Sequence, residues 1–211
     1  MKRCVAITRN VAKDFHPAYF AVVMATGIMS IAFDALAFTG ISQALFRLNL
    51  AFYPILCAIL AARALLFRPD LIADLKTLHH SWLFLTFVLG TTTLGMQLVL
   101  FQPATGLACA LWFIALTSWI IIIYFIFFNF IPLRKKPAHE LVNGATLLII
   151  VSTVSVALLG LRLLNAAAPQ SGHAYIAAWA FWASGFAMYL LIVPIVIYRL
   201  FFIRLKPVEW E

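Results

Sequence analysis

Six stretches of the chain are almost wholly apolar, and the polar positions inside them are few and clustered. They cover about residues 17–38, 45–67, 82–101, 106–130, 141–164 and 175–203. A helix needs about 20 apolar residues to cross the hydrocarbon of a bilayer. Barrel strands would be about half that length and alternate in polarity, which these runs do not. Turn-forming residues punctuate the pattern at Thr39-Gly40, Gln102-Pro103, Pro137 and Pro169-Gln170-Ser171-Gly172. The pattern predicts an all-α integral membrane protein with about six transmembrane helices in a single domain over residues 17–205. A basic tail, 1–16, precedes it and a short end, 206–211, follows. Pro17 suits the start of a helix, whereas Pro54 and Pro194 inside theirs predict kinks. The first run exceeds the length of a signal-peptide core and reads as a retained span.

The six runs differ in their centres. The odd ones carry small or polar residues there: Thr26-Gly27 in the first, Gly90-Thr91-Thr92-Thr93-Leu94-Gly95 in the third, Ser152-Thr153-Val154-Ser155 in the fifth. The even ones are greasier, with Ile120 to Phe128 in the fourth and Trp179, Phe181, Trp182, Phe186 and Tyr189 in the sixth. Each even run closes on bulky apolar residues followed by arginine and proline: Phe67-Arg68-Pro69, Ile131-Pro132-Leu133-Arg134, and Ile203-Arg204-Leu205-Lys206-Pro207. Thr26 and Thr92 lie 66 residues apart, and Thr92 and Thr153 lie 61 apart. This is a repeat of three helical hairpins with a common orientation, the parallel kind related by an axis along the membrane normal. Small side chains suit helix–helix contact, so the odd helices are expected inside and the even ones outside.

Composition agrees and adds the topology. Hydrophobic residues are 65% of the 211, charged residues 10%, and the mean hydropathy is +1.04; soluble domains hold about 45–50% apolar and about 25% charged residues. The net charge of +8 does not point to nucleic acid, because the basic residues cluster between apolar runs. Lys2, Arg3, Arg9, Lys13, Arg63, Arg68, Lys76, Arg134, Lys135, Lys136, Arg199, Arg204 and Lys206 fall on one side, and only Arg47 and Arg162 on the other. The positive-inside rule then places both termini in the cytoplasm, with the chain multi-pass in the plasma (inner) membrane. Cys4, Cys57 and Cys109 are scattered and form neither a disulfide framework nor a metal motif.

Within the odd helices, Thr26, Ser30 and Asp34 share a face at spacings of four. Such a stripe serves a polar path, or packs closely with each hydroxyl bonded to its own helix. Asp34 is an acid in an apolar run, hence a functional candidate; it equally reaches the interface or pairs with Arg47. Thr86, Gly90, Thr93 and Gln97 lie near one face of the third helix, where Gln97 contacts a solute or bridges helices. Gly144, Ser152 and Ser155 mark a small face in the fifth, and Asn143 caps, joins helices or faces a vestibule. His16, His79, His80 and His139 stand at helix starts without carboxylate or cysteine at ligand spacing, so neither a metal nor another cofactor is expected. No nucleophile elbow, phosphate loop or carboxylate pair makes a case for an enzyme.

Two stretches carry a resemblance. Pro17-Ala18-Tyr19-Phe20-Ala21-Val22-Val23-Met24-Ala25-Thr26-Gly27 and Asn143-Gly144-Ala145-Thr146-Leu147-Leu148, continuing to Ser152-Thr153-Val154-Ser155-Val156-Ala157, resemble the tellurite-resistance/C4-dicarboxylate transporter family, which includes slow-type anion channels. The resemblance implies five hairpins, with odd helices lining an anion pore gated by a phenylalanine on the ninth helix. This chain matches about the first six helices, the gating phenylalanine has no counterpart, and Val154 replaces the family's glutamine. The resemblance implies transport of C4-dicarboxylates such as malate, or of small inorganic anions. The expected path is lined by Thr26, Gly27, Ser30, Gly90, Thr93, Gln97, Ser152 and Ser155, with Arg134, Lys135 and Lys136 as a basic mouth. The partners expected are the lipid bilayer and a small anionic solute. A second copy or a second chain would supply the missing helices. A non-transporting remnant or membrane interaction subunit is the alternative.

Overall fold

A computed structural model describes residues 13, 15–102, 105–130, 144–167 and 172–202. The predicted basic mouth at Arg134, Lys135 and Lys136, together with His139, Asn143 and the residues beyond 202, lies outside the described residues. Eight α-helices account for most of what is described. They are α1 (Phe20–Ala35, preceded by a 3-10 turn Pro17–Tyr19), α2 (Thr39–Leu66), α3 (Arg68–Lys76), α4 (Leu78–Leu83), α5 (Leu85–Phe101), α6 (Thr105–Phe130), α7 (Leu147–Ala167) and α8 (Gly172–Phe202). Six helical stretches are long and apolar enough to span a membrane: Pro17–Ala35, Thr39–Leu66, His80–Phe101, Thr105–Asn129, Gly144–Ala166 and Tyr175–Phe202. The chain is an all-α, multi-pass membrane protein.

The start of the first span follows from its sequence. His16 is extended, its Nδ1 accepts a hydrogen bond from the Ala18 N–H at 3.2 Å, and Pro17 occupies the first helical position. The end of α1 does not follow so directly. Ala37 takes a left-handed backbone (φ 63°), the Phe38 N–H reaches Phe33 O at 2.8 Å, and the Ala37 N–H reaches Asp34 O at 2.9 Å. This is a Schellman closure built on alanine where glycine is usual. It turns the chain at once, so α2 begins at Thr39, not near residue 45. Gly40, expected in the turn, is helical; a Cβ there would meet nothing within 4 Å, and its φ is not positive. The stretch between the second and third spans, read as a loop, folds into α3 and α4, with Pro69 in the first turn of α3. Pro54 and Pro194 lie inside helices that continue through them.

Three hairpins, α1–α2, α5–α6 and α7–α8, stand side by side, and α5 touches both α1 and α7. The inner arc is therefore α1, α5 and α7, as the small-centred pattern predicts. Burial follows the same division: 72% of an 18-residue apolar stretch of the third span is buried and 50% of the fifth's, against 11%, 17% and 6% for the second, fourth and sixth. The first span, at 22%, is an edge of the arc. Side chains such as Tyr124, Phe128, Leu191, Phe201 and Phe202 project from the even helices, where lipid would meet them.

Glycines set the spacing between helices. On Gly27 of α1 a Cβ would collide with Thr93 and stand 2.9 Å from Asn49 Nδ2. On Gly95 of α5 it would lie 2.6 Å from Leu159, and on Gly160 of α7 2.9 Å from the Trp112 Nε1. Close backbone approach replaces the hydrophobic drive that lipid cannot supply between helices. The Trp112 indole fills the space over Gly160 and donates to Val156 O at 3.0 Å.

Candidate functional site

The polar residues of the inner helices meet at the contact of α1, α2 and α5. The buried face of α1 is Phe20, Val23, Gly27 and Ser30. The buried face of α2 is Ser42, Phe46, Asn49 and Tyr53, with Arg63 further along. Ser30 and Ser42 exchange bonds, each hydroxyl donating to the other's backbone carbonyl at 2.8 Å. Asn49 is fully buried; its Nδ2 donates to Val23 O and to Gln97 Oε1, both at 3.0 Å, and its Oδ1 accepts from the Thr26 hydroxyl. One turn on, the Tyr53 hydroxyl meets Thr91 Oγ1 at 2.9 Å. Thr91 gives its proton to Phe87 O at 2.7 Å, so Tyr53 is the donor. The Thr86 hydroxyl lies 2.7 Å from Pro17 O and ties the start of α5 to that of α1.

Of the eight residues expected on a path, five are brought together here. Gly27, Thr93 and Gln97 are in mutual contact, Thr26 joins them through Asn49, and Gly90 lies against Phe20, where a Cβ would come 3.3 Å from the Phe20 carbonyl. Ser30 sits two turns from Val23 on the same helix face and is tied to α2. Ser152 and Ser155 are on α7, a separate part of the arc; Ser152 is buried and donates to Ile149 O at 3.0 Å, and Ser155 is half-buried. Most of these hydroxyl protons are already committed. Thr26 reaches Val22 O and Thr93 reaches Leu89 O, each at 2.7 Å, as Thr153, beside Ser152, reaches Ile149 O. This is the back-bonding of serine and threonine to their own helix. Gln97 bridges helices, and its Nε2, fully buried, has no hydrogen-bond partner among the described residues.

Sequence reasoning missed three participants: Ser42, Asn49 and Tyr53. They were overlooked because the even helices were read as greasy. Their spacing, with Phe46 at i+4, is one helical face, and a lone asparagine in an apolar run was the available signal.

A second polar cluster joins the N-terminal ends of the inner helices. Arg63, 5% exposed, places its Nη2 2.6 Å from Asp74 Oδ2 of α3. The other Asp74 oxygen is 3.6 Å from His80 Nδ1, and the His80 ring stands edge-on to His16 at 5.2 Å. Arg63, counted among the basic residues on one side of the membrane, is thus a buried, ion-paired group, and two histidines from separate helix starts are neighbours. At the opposite end, Asp34 forms no ion pair with Arg47 among the described residues.

Parallel hairpins with small-centred inner helices and lipid-facing outer ones define a multi-pass α-helical membrane protein. The chain belongs to the voltage-dependent anion channel family, whose model matches residues 14–209. It is 29% identical over 208 residues to the sulfite efflux pump SSU1 of Trichophyton rubrum and 30% identical over the same length to that of Arthroderma otae. Each alignment covers 92% of this chain and 55% of the relative, so the chain spans about half the length of the curated relatives it matches. No solved structure matches it at a significant level.

Proposed function

We propose that the chain moves small anions across a plasma membrane along the row of inner helices α1, α5 and α7. The observation that carries this reading is the arc itself: three parallel inner helices in consecutive contact, each with a small or polar centre. Thr26, Gly27, Ser30, Gly90, Thr93 and Gln97 on α1 and α5, with Ser152 and Ser155 on α7, border the path in this reading. Gln97 Nε2 is the buried donor left to meet a solute. Membership of an anion channel family supports the solute's charge. The sulfite named for the relatives favours a small oxyanion over a C4-dicarboxylate such as malate. Both termini are cytoplasmic in this scheme, from the asymmetry of Lys and Arg. A second copy of the chain, or a second chain, closes the open side of the arc.

The test is flux into liposomes holding the purified chain, loaded in turn with sulfite, chloride and malate. Sulfite flux above that of empty liposomes, cut several-fold by Gln97→Leu, is the expected result. No flux of any of the three, with or without a co-reconstituted partner chain, would sink the proposal.

A further inference from the structure

At the C-terminal ends of the inner helices the structure holds a cavity of about 200 Å³ lined by Ile31 of α1, Met96, Val99 and Leu100 of α5, and Arg162 of α7. All its lining comes from the three inner helices and none from the outer ones. Arg162 is exposed and lies five residues before the end of α7. At about 1.5 Å per residue that places its Cα roughly 7 Å inside the helix end. No carboxylate lies within ion-pair distance and no hydrogen bond engages its guanidinium among the described residues. It contrasts with Arg63 at the other end, which is ion-paired to Asp74.

We propose that Arg162 and this cavity form a binding site for a small oxyanion at the outer end of the translocation path, an inference that rests on the anion-transport reading above. A charged side chain within a membrane span needs a partner or a polar surrounding, and among the described residues Arg162 has no ion-pair or hydrogen-bond partner. Its guanidinium offers paired N–H donors in a fixed fork that fits two oxygens of one oxyanion and has no equivalent fit to a halide. The cavity is smaller than the roughly 300–1,000 Å³ of sites for drug-sized ligands. It suits an ion of a few heavy atoms with part of its hydration. The apolar walls from Ile31, Met96 and Val99 lower the local dielectric, which strengthens the attraction. An arginine that only snorkels to the interface would show no such preference. Phospholipid headgroups carry the same oxyanion chemistry, so the test separates a free ion from a lipid.

The measurement is thermal unfolding of the purified chain in neutral detergent at constant ionic strength, titrated with sodium sulfite under nitrogen, sodium chloride or a short-chain phosphatidylglycerol. Ligand that binds the folded state raises the midpoint in a saturable way. The expected result is a saturable rise with sulfite and none with chloride. Arg162→Gln raises the half-saturating concentration at least about tenfold, Arg162→Lys weakens it less, and Arg47→Gln leaves it unchanged. An equal rise in Arg162→Gln, or no rise in the unsubstituted chain, overturns the proposal. So does an Arg162-dependent rise given by phosphatidylglycerol and not by sulfite, which assigns the group to a lipid headgroup. Liposome flux is read in parallel. Flux that is absent while the Arg162-dependent rise persists defeats the transport reading and leaves the site standing.

Discussion

Asn49→Leu isolates the hydrogen bonds that hold the inner arc, because leucine keeps nearly the same bulk and removes only the amide. Three partners lose a contact: Val23 O, Gln97 Oε1 and the Thr26 hydroxyl. Two of them are covered. Val23 O takes the helical bond of α1, and Thr26 retains Val22 O at 2.7 Å. Gln97 is not covered: its Nε2 already lacks a partner among the described residues, and its Oε1 loses the Asn49 donor at 3.0 Å. Interhelical hydrogen bonds in membrane proteins average about 0.6 kcal/mol, with maxima near 1.7. A buried polar group left without its partner costs about 1–3 kcal/mol. Two lost donations and a stranded amide therefore amount to about 2 kcal/mol. The double variant Asn49→Leu/Gln97→Leu removes the stranded group as well and should regain about half of that loss, a coupling that only neighbours show. The assay is equilibrium unfolding in mixed micelles as the mole fraction of dodecyl sulfate rises, followed by circular dichroism. A single variant within about 0.5 kcal/mol of the parent, or a double variant that costs the sum of the singles, would refute the reasoning.

Two further stability predictions use the same titration. Ala37→Gly should stabilise the chain by about 1 kcal/mol, since Ala37 holds a left-handed backbone (φ 63°) that costs an L-residue about 1–2 kcal/mol and glycine little; a loss of stability would show that the Schellman turn is not the conformation in the membrane. Asp74→Asn should destabilise by about 2 kcal/mol, less than a fully buried pair because Asp74 is 25% exposed. The pair Arg63→Met/Asp74→Asn should then be more stable than Asp74→Asn alone, because no buried guanidinium is left uncompensated; equal stability of the two refutes the pairing.

What the sequence shows well is what lipid dictates. A helix in hydrocarbon must satisfy its backbone internally and span a fixed thickness, so the number of spans, their hairpin pairing and the inner position of the small-centred helices are written in the apolar runs. Turns are less constrained. Ala37 closes α1 without the glycine that marks such a turn, and the second span starts near Thr39 and not near residue 45 as a result. Partners across helices are harder still. Gln97 was legible as a bridge, but its partner Asn49 sits on a helix whose composition signals only lipid contact. Arg63 reads as one more cation near the end of the second span until α3 folds back and brings Asp74 to it.

The hydroxyl-rich centres of the inner helices serve packing more than they attract charge. In water a serine or threonine proton can turn to a passing anion, but in a membrane the nearest acceptor is a carbonyl one turn back on the same helix. Thr26, Thr91, Thr93, Ser152 and Thr153 all have such an acceptor within hydrogen-bond reach. What they then show a solute is an acceptor oxygen and, for threonine, a methyl group, neither of which attracts an anion. Their contribution is size: they let α1 approach α5 closely enough for Gly27 to lie against Thr93. In the anion-transport reading proposed above, recognition of negative charge rests on nitrogen, of which the inner helices offer very little. Gln97 Nε2 is left over from the network four residues before the end of α5, and the Arg162 guanidinium stands five residues before the end of α7. The rows of hydroxyls determine how tightly the helices that carry these two nitrogens can pack.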